Sequence, residues 1–155
     1  MGIMSFKDDI AAVKENTPKP LLVPVALNGK LYQVETKRLP GTTWDSILSR
    51  SPAKTEAHFR IGYDSGTATK IACREHARLI DPDGDPVDMA PTKDERGNVT
   101  SDPWADLFEA MSGLELRAIS GAWWGLNESD PNKEISALKK ALRGDESSSS
   151  NSPLN

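Results

Sequence analysis

Residues 101–143 read SDPWADLFEAMSGLELRAISGAWWGLNESDPNKEISALKKALR, and this stretch holds three of the four tryptophans of the chain. An Asp-Pro pair stands at Asp102 and again at Asp130. Such a pair favours a helix start, because Asp accepts hydrogen bonds from the first turn and proline has no N–H to leave unpaired. Gly113 and Gly144 fit as helix ends. The stretch therefore predicts three consecutive short helices.

Each predicted helix has one apolar face at the spacing of 3.6 residues per turn. The three stripes are Trp104, Leu107, Phe108 and Met111; Leu116, Ile119, Ala122, Trp123 and Leu126; and Ile135, Leu138 and Leu142. We interpret Trp104 and Trp123 as core residues. Trp124 falls outside its stripe, so two alternatives stay open: a second layer covers the ring, or the ring is exposed and anchors a partner.

The strongest strand signal precedes this stretch, at LLVPVAL and KLYQVE around Asn28-Gly29. Asn-Gly favours the type I′ turn of a two-residue hairpin, because both residues tolerate positive φ. Pro24 indicates an edge strand, since proline cannot donate to a neighbouring strand. The turn sets a register that places one apolar set on one face. The predicted pairs are Leu27 with Lys30, Val25 with Tyr32, and Val23 with Val34.

Weaker signals complete the chain. Ser5 caps a short amphipathic helix that carries Phe6, Ile10 and Val13, and a second short helix passes through Trp44, Ile47 and Leu48. Helical spacing returns between Thr67 and Ile80, whereas His58–Tyr63 reads as an extended segment. The acidic run from Asp81 leads into a polar loop that we expect to be mobile.

These signals predict an α+β fold, with an N-terminal β-hairpin packed on a mainly helical C-terminal bundle of about five short helices. We expect an N-terminal short helix and linker (1–20), a single α+β domain (21–143) with an acidic loop (81–101), and a disordered serine-rich tail (144–155). The tail is too polar to offset its ordering entropy by burial.

The amino-acid composition excludes several classes of function for the protein. One cysteine excludes an internal disulfide, and no run approaches the roughly 18 apolar residues of a membrane helix. Residues 1–16 lack the apolar core of a signal peptide. Residues 30–78 carry nine basic and five acidic residues, but the pI of 5.2 argues against nucleic-acid binding. We expect a protein of the cytoplasm without nucleic-acid or membrane partners.

No motif points to catalysis. Cys73 and His76 could share a helix surface, but nucleophilic catalysis needs a base and an orienting partner. A carboxylate pair of the glycosidase kind stays open at the level of sequence. The loop from Asp81 fails as a calcium-binding EF-hand, because Pro86 and Thr92 occupy the positions of the required Gly and Glu. We expect no enzyme activity, no cofactor and no metal.

The order of segments resembles the tail assembly chaperones of long-tailed, siphovirus-like phages that infect actinobacteria. The resemblance covers residues 21–143 and rests on VPVALNGKLYQVE, LPGTTWDSILSRSP, the helix containing IAC, the acidic Asp-Pro loop and DPWADLFEAMSGLELRAISGAWWGLNE. Two features depart from the family. It often has paired cysteines where this chain has Ala72-Cys73, and its closing helix is rich in Ala where this chain has Trp123 and Trp124.

The resemblance implies a non-enzymatic assembly factor in the cytoplasm of the infected host bacterium, absent from the mature virion. Such chaperones bind the tape measure protein, help recruit tail tube subunits, and often have a longer product made by translational frameshifting. A virion structural protein, such as a head-tail connector or minor tail subunit, is the alternative, and a host regulatory binding module is a weaker one. We expect the partner surface, or a self-association surface, on the helix Leu114–Leu126. Its residues are Leu114, Arg117, Trp123, Trp124 and Leu126.

Overall fold

The fold is α+β, as the sequence predicts, with a hairpin followed by a mainly helical region. The computed structural model describes the backbone of residues 5–150 and the side chains of residues 5–144. The helices are α1 (Phe6–Glu15), α2 (Gly41–Ser49), α3 (Glu56–Ile61), α4 (Ser65–His76), α5 (Pro103–Ala110), α6 (Gly113–Trp124) and α7 (Asp130–Ser150), with a π-helical turn (Gly125–Ser129) between α6 and α7. The strands are β1 (Leu21–Leu27), β2 (Lys30–Thr36), β3 (Arg78–Ile80), β4 (Thr92–Lys93) and β5 (Val99–Ser101).

The hairpin has the predicted register. Asn28 and Gly29 adopt φ angles of 51° and 73°, which is the left-handed conformation that the type I′ turn requires. The strands β1 and β2 are antiparallel, and β1 lies at the edge of the sheet, as Pro24 indicates. All three predicted residue pairs are confirmed: Leu27 with Lys30, Val25 with Tyr32, and Val23 with Val34.

A third strand extends this sheet, and here the prediction from periodicity is wrong. The predicted helix Thr67–Ile80 ends at His76, and β3 pairs antiparallel with β2. Along its free edge β2 has backbone N–H and C=O groups that need hydrogen-bond partners. The strand β3 pairs with them, whereas a longer helix would leave them unpaired. Arg78 also pairs with Glu35 across the two strands, with an Nη2–Oε2 distance of 3.0 Å. Tertiary pairing therefore overrides the helical spacing around Leu79, which is buried.

A second correction concerns the segment His58–Tyr63, which is helical over α3 rather than extended. The Thr55 hydroxyl accepts the His58 N–H at 3.2 Å, and Gly62 ends the helix with a φ angle of 90°. A threonine N-cap and a left-handed glycine C-cap are standard helix boundaries, so these two caps determine where this short helix begins and ends. Tyr63 follows the helix, and its ring lies edge-on to Trp44 with centroids 6.3 Å apart.

The acidic loop 81–101 contains regular structure. Its strands β4 and β5 form a small antiparallel hairpin in place of the predicted irregular loop. Two similar turns precede and connect these strands. In each turn an Asp carboxylate accepts two backbone N–H groups at 2.9 Å: Asp81 from residues 83 and 85, and Asp94 from residues 96 and 98. These carboxylates thus shape the backbone of the loop.

The core lies around α6, which packs against β1 and β2 and against α4. The α4 helix in turn contacts α2. The interpretation of Trp104 and Trp123 as core residues is confirmed, since both are buried. The buried apolar cluster comprises Val23, Val25, Val34, Leu39, Trp44, Ile47, Tyr63, Ala68, Ala72, Cys73, Leu79, Trp104, Leu107, Met111, Ile119, Ala122 and Trp123.

Both ends of the described chain are helical. At the N-terminal end the predicted cap is confirmed, because Ser5 and Asp8 form a reciprocal capping box at the start of α1. At the C-terminal end α7 continues past Gly144 to Ser150, so the prediction that the helix ends at Gly144 is wrong. Glycine destabilises a helix interior by only about 1 kcal/mol, which a long helix tolerates. Residues 151–155 of the predicted tail lie outside the described residues.

Candidate interaction surface

The candidate site lies on a continuous helical rod made of α6, the π turn and α7. The predicted break before Asp130 is wrong, because Gly125 and Asp130 both keep right-handed helical backbone angles. Pro131 has no N–H for the preceding turn and would strain a regular helix. The wider turn just before it offers a physical reason why the rod is not interrupted. Its signature is the Asp130 N–H, which bonds to the Gly125 carbonyl five residues earlier.

Asn127 fixes this turn to the segment that follows β2. Its Oδ1 accepts the Leu39 N–H at 2.8 Å, and its Nδ2 donates to the Lys37 carbonyl at 3.2 Å and to the Trp123 carbonyl at 3.0 Å. One side chain therefore joins two distant parts of the backbone. Sequence reasoning missed Asn127, because its partners at Lys37 and Leu39 lie about ninety positions away along the chain.

Arg38 and Tyr63 add two further bonds to the rod. Arg38 Nε donates to the Leu126 carbonyl at 2.8 Å, and its Nη2 lies 3.0 Å from Glu134 Oε1. The Tyr63 hydroxyl donates to Glu128 Oε2 at 2.9 Å. Burial, followed by this bond to the Glu128 carboxylate, raises the pKa of Tyr63 well above its usual range. The phenol is therefore a stable donor at neutral pH.

The start of α6 is fixed as firmly as its end. The Ser112 hydroxyl accepts the Glu115 N–H at 3.2 Å, while Glu115 Oε1 accepts the Ser112 N–H at 2.9 Å. Glu115 Oε2 also accepts the Ala26 N–H of the edge strand at 2.7 Å. These bonds, that from Ser112 first, lower the pKa of Glu115. Gly113 is the first residue of α6 and does not act as the predicted left-handed stop.

Two members of the predicted partner surface lie in the interior. Trp123 is 1% exposed and Leu126 is buried, because both occupy the stripe of the rod that faces the core. Neither side chain can meet a partner while the domain is folded. The prediction that Trp123 and Leu126 contact a partner is therefore wrong.

The other three members share the outward side of α6. Leu114, Arg117, Gly121 and Trp124 follow one another at intervals of three or four residues, which is one helix face. All four are exposed, and the exposed fractions are 71% for Leu114 and 47% for Trp124. We call these four residues the Trp124 surface. It combines a large ring, an aliphatic side chain and a cation on a rigid, doubly anchored helix.

Comparisons with protein-family models, curated proteins and solved structures gave no match. Among the side chains that the structure describes, no group of three or more His, Cys, Asp and Glu residues could hold a metal ion. Within residues 5–150, no helix has the length and apolar character needed to cross a bilayer.

A second apolar feature lies where α1 approaches the start of α7. Ile10 and Val13 of α1, together with Leu39, Pro40 and Glu134, line an open groove of about 670 Å³. Phe6 and Val13 are largely exposed, so the apolar face of α1 has no cover within the described chain. Polar side chains, among them Lys14, Asn16, Arg38 and Glu134, also line the groove.

The Cys73 side chain lies on the core-facing side of α4 and is buried. This environment does not favour a nucleophilic role. Burial raises the pKa of the thiol to about 12. The reactive thiolate is therefore scarce at neutral pH. His76 lies on the same helix and is partly exposed; desolvation is the main cause that lowers its pKa.

We expect a water-soluble disulfide reagent to leave Cys73 unmodified in the native protein and to modify it in denaturant.

The raised pKa of Cys73 also predicts that the stability of the protein depends on pH. Since the unfolded thiol loses its proton first, the free energy of unfolding should fall as the pH rises from 9.0 towards about 12. The fall should reach about 1.4 kcal/mol per pH unit. Denaturant curves at several pH values measure it.

The matched comparison for this prediction is Cys73→Ala, which should lack the part of the slope due to the thiol. Other titrating groups contribute equally to both proteins, so the difference between the two curves isolates Cys73. Rapid modification of the native thiol, or identical slopes for the two proteins, would contradict the prediction.

Proposed function

We propose that the protein is a non-enzymatic tail assembly chaperone of a long-tailed phage. In this role it binds the helical tape measure protein in the cytoplasm of the host bacterium, helps recruit tail tube subunits, and is absent from the finished virion. The observation that carries the proposal is the exposure of Trp124 on a helix whose adjacent tryptophan is buried.

The chemistry of the Trp124 surface supports a protein partner. Tryptophan and arginine are enriched among residues that dominate binding energy, and an exposed tryptophan loses contact with water when a partner covers it. A helix face that carries an apolar residue near each end, Leu114 and Trp124, with the cation of Arg117 between them is suited to helix-on-helix binding. A tape measure protein is long, helical and rich in apolar residues, so it offers complementary faces.

The rigidity of the surface also supports this role. The α6 helix is held at one end by the Ser112–Glu115 box with its bond to Ala26, and at the other by Asn127. A pre-ordered surface binds with less loss of conformational entropy. The resemblance in segment order, from the hairpin through LPGTTWDSILSRSP to the closing helices, is what directs the proposal to tail assembly.

We expect Trp124→Ala to weaken binding of a co-expressed tape measure fragment by about 30-fold, the effect of losing a dominant anchor worth about 2 kcal/mol. Co-purification of the fragment and its soluble fraction are the measurements. Phe59→Ala is the matched control, since Phe59 is an exposed aromatic residue on α3. This control should bind as the unmodified chain does.

Equal co-purification with Trp124→Ala would show that the tape measure protein binds elsewhere or not at all. Proteomics of purified particles tests the alternative class directly. A chaperone should be nearly absent from particles, whereas a head-tail connector or minor tail subunit should be present at a stoichiometric level. Stoichiometric presence would overturn the proposal in favour of a virion structural protein.

A further inference from the structure

The α7 helix carries an apolar stripe that its own chain leaves uncovered. Every side chain from Asn132 to Arg143 is exposed. The stripe consists of Ile135, Leu138 and Leu142, and Leu138 is 72% exposed. Three large apolar residues in line on a surface helix are typical of an interaction site.

The spacing of this stripe is that of a coiled-coil seam. Ile135, Leu138 and Leu142 are separated by three and then four residues, which are the a, d and a positions of a heptad. Isoleucine at the first a position with leucine at d favours a two-stranded parallel pair, and leucine occupies the second a position. The residue types therefore indicate one partner helix of similar pattern.

The charges beside the seam identify that partner as a second copy. Glu134 occupies the g position and Lys139 the following e position. When two identical helices run parallel and in register, a g residue faces the e residue five positions on in the partner. Glu134 would then face the partner's Lys139, and symmetry creates this pair twice. An antiparallel arrangement would instead bring the two copies of Lys139 together, which is unfavourable.

The geometry of Glu134 is compatible with this pairing. Its carboxylate accepts from Arg38 at 3.0 Å, yet the side chain stays 59% exposed. A carboxylate has about four acceptor sites, so it can accept a second cation from outside. Lys139 is exposed, and no ion pair within the described chain involves it.

We propose that two copies of this chain associate through α7, parallel and in register, with Ile135, Leu138 and Leu142 as the seam and Glu134–Lys139 pairs at its edges. The seam has only three apolar layers, so the dimer is weak and depends on concentration. This proposal goes beyond the chaperone function and does not depend on it. Its tests use the isolated chain without any tape measure protein.

Sedimentation of the full chain over a wide concentration range tests the association. The unmodified chain should shift from monomer to dimer as its concentration rises. Leu138→Asp should raise the dissociation constant at least about 100-fold, because it removes an apolar contact from both copies. Since Leu138 is exposed, circular dichroism should show an unchanged fold. Lys140→Glu, outside the seam, is the matched control and should dimerise normally.

Charge reversal tests the parallel register. Glu134→Lys alone and Lys139→Glu alone should each weaken the dimer by roughly tenfold, because each places like charges together twice. Combining the two substitutions recreates opposite charges across the seam and should restore the dimer, because the Arg38–Glu134 pair that is also lost lies within one chain and is too exposed to contribute much. An antiparallel dimer would not be restored in this way, since each residue would still face its own copy.

Cross-linking provides an independent measurement. In a parallel pair Leu142→Cys places two new thiols opposite each other, and oxidation should give a covalent dimer, whereas Lys140→Cys should not. The native Cys73 is buried and does not compete. A chain that stays monomeric at all concentrations, or a dimer that survives Leu138→Asp and is lost with Phe6→Asp on α1, would overturn the proposal.

Discussion

Replacing Trp123 with alanine is expected to lower the free energy of unfolding by about 3–5 kcal/mol, the range for removing a fully buried aromatic side chain. The ring is 1% exposed and lies in the last turn of α6, the helix that contacts both the sheet and α4. Such a loss is comparable to the whole stability of many small domains. Urea unfolding followed by far-ultraviolet circular dichroism measures it without relying on tryptophan fluorescence.

The adjacent residue supplies the control. Trp124→Ala removes the same atoms from the next position of the same helix, but this ring is 47% exposed. We expect a loss below about 1 kcal/mol, as for most surface substitutions. Trp123→Phe should keep most of the stability, because the Trp123 indole N–H is buried without an acceptor and its removal sacrifices no hydrogen bond. Similar losses for Trp123→Ala and Trp124→Ala would show that burial does not separate the two rings.

That these tryptophans lie on different sides of the helix could be predicted because it depends on helix geometry alone, whereas the exposure of Trp124 could not, since another layer could have covered the ring. Once α6 is assigned, the rotation of 100° per residue places Trp123 with Ile119 and Ala122, and Trp124 with Leu114. The hairpin register was predictable for a similar reason, since Asn28-Gly29 specifies both the turn and the pairing. Local rules of this kind need no knowledge of the remaining chain.

Elements that depend on distant partners could not be predicted in this way. The short strand β3 forms because β2 has an open edge, and no pattern within Arg78–Ile80 reveals that edge. The start of α6, in contrast, could have been predicted from the local sequence. Ser112 and Glu115 have the spacing of a capping box, a local signal that identifies Ser112 as the cap and excludes Gly113 as a stop.

The candidate surface was predicted only in part, for one physical reason. Leu114, Arg117 and Trp124 lie on the exposed side of α6, whereas Trp123 and Leu126 belong to the buried stripe. Grouping all five residues by their place in one helix ignored the side to which each side chain points. Periodicity separates these sides, but it does not show which of several exposed faces has a partner.

The rod from α6 to α7 brings two kinds of exposed face onto one element. The Trp124 surface lies on the half anchored to the core, and the Ile135–Leu142 seam lies on the half beyond the π turn. If the protein has the proposed chaperone function, binding a partner at one face and a second copy at the other would place two copies of the chain on one long helical substrate. Avidity from linked sites can then raise the overall affinity without further contacts.

This arrangement depends on Asn127, and we expect Asn127→Ala to lower the free energy of unfolding by about 2–3 kcal/mol. The substitution removes the acceptor of the Leu39 N–H and the donor to the Lys37 and Trp123 carbonyls. The substitution leaves polar backbone groups without partners in a half-buried site. This costs more free energy than the net contribution of the hydrogen bonds themselves. Denaturant unfolding measures the total, and hydrogen exchange at the Leu39 amide reports this contact alone.

Asn132→Ala is the matched control, because Asn132 lies on the same rod, is exposed, and makes none of these bonds. It should change stability by less than about 0.5 kcal/mol. Asn127→Asp keeps the acceptor for Leu39 but places a carboxylate oxygen against the Lys37 and Trp123 carbonyls, so its loss should be at least as large as that of Asn127→Ala. If Asn127→Ala left the Leu39 amide as protected as before, the rod would be fixed to the sheet by Arg38 and the core stripe instead, and the π turn would have no special part in orienting α7.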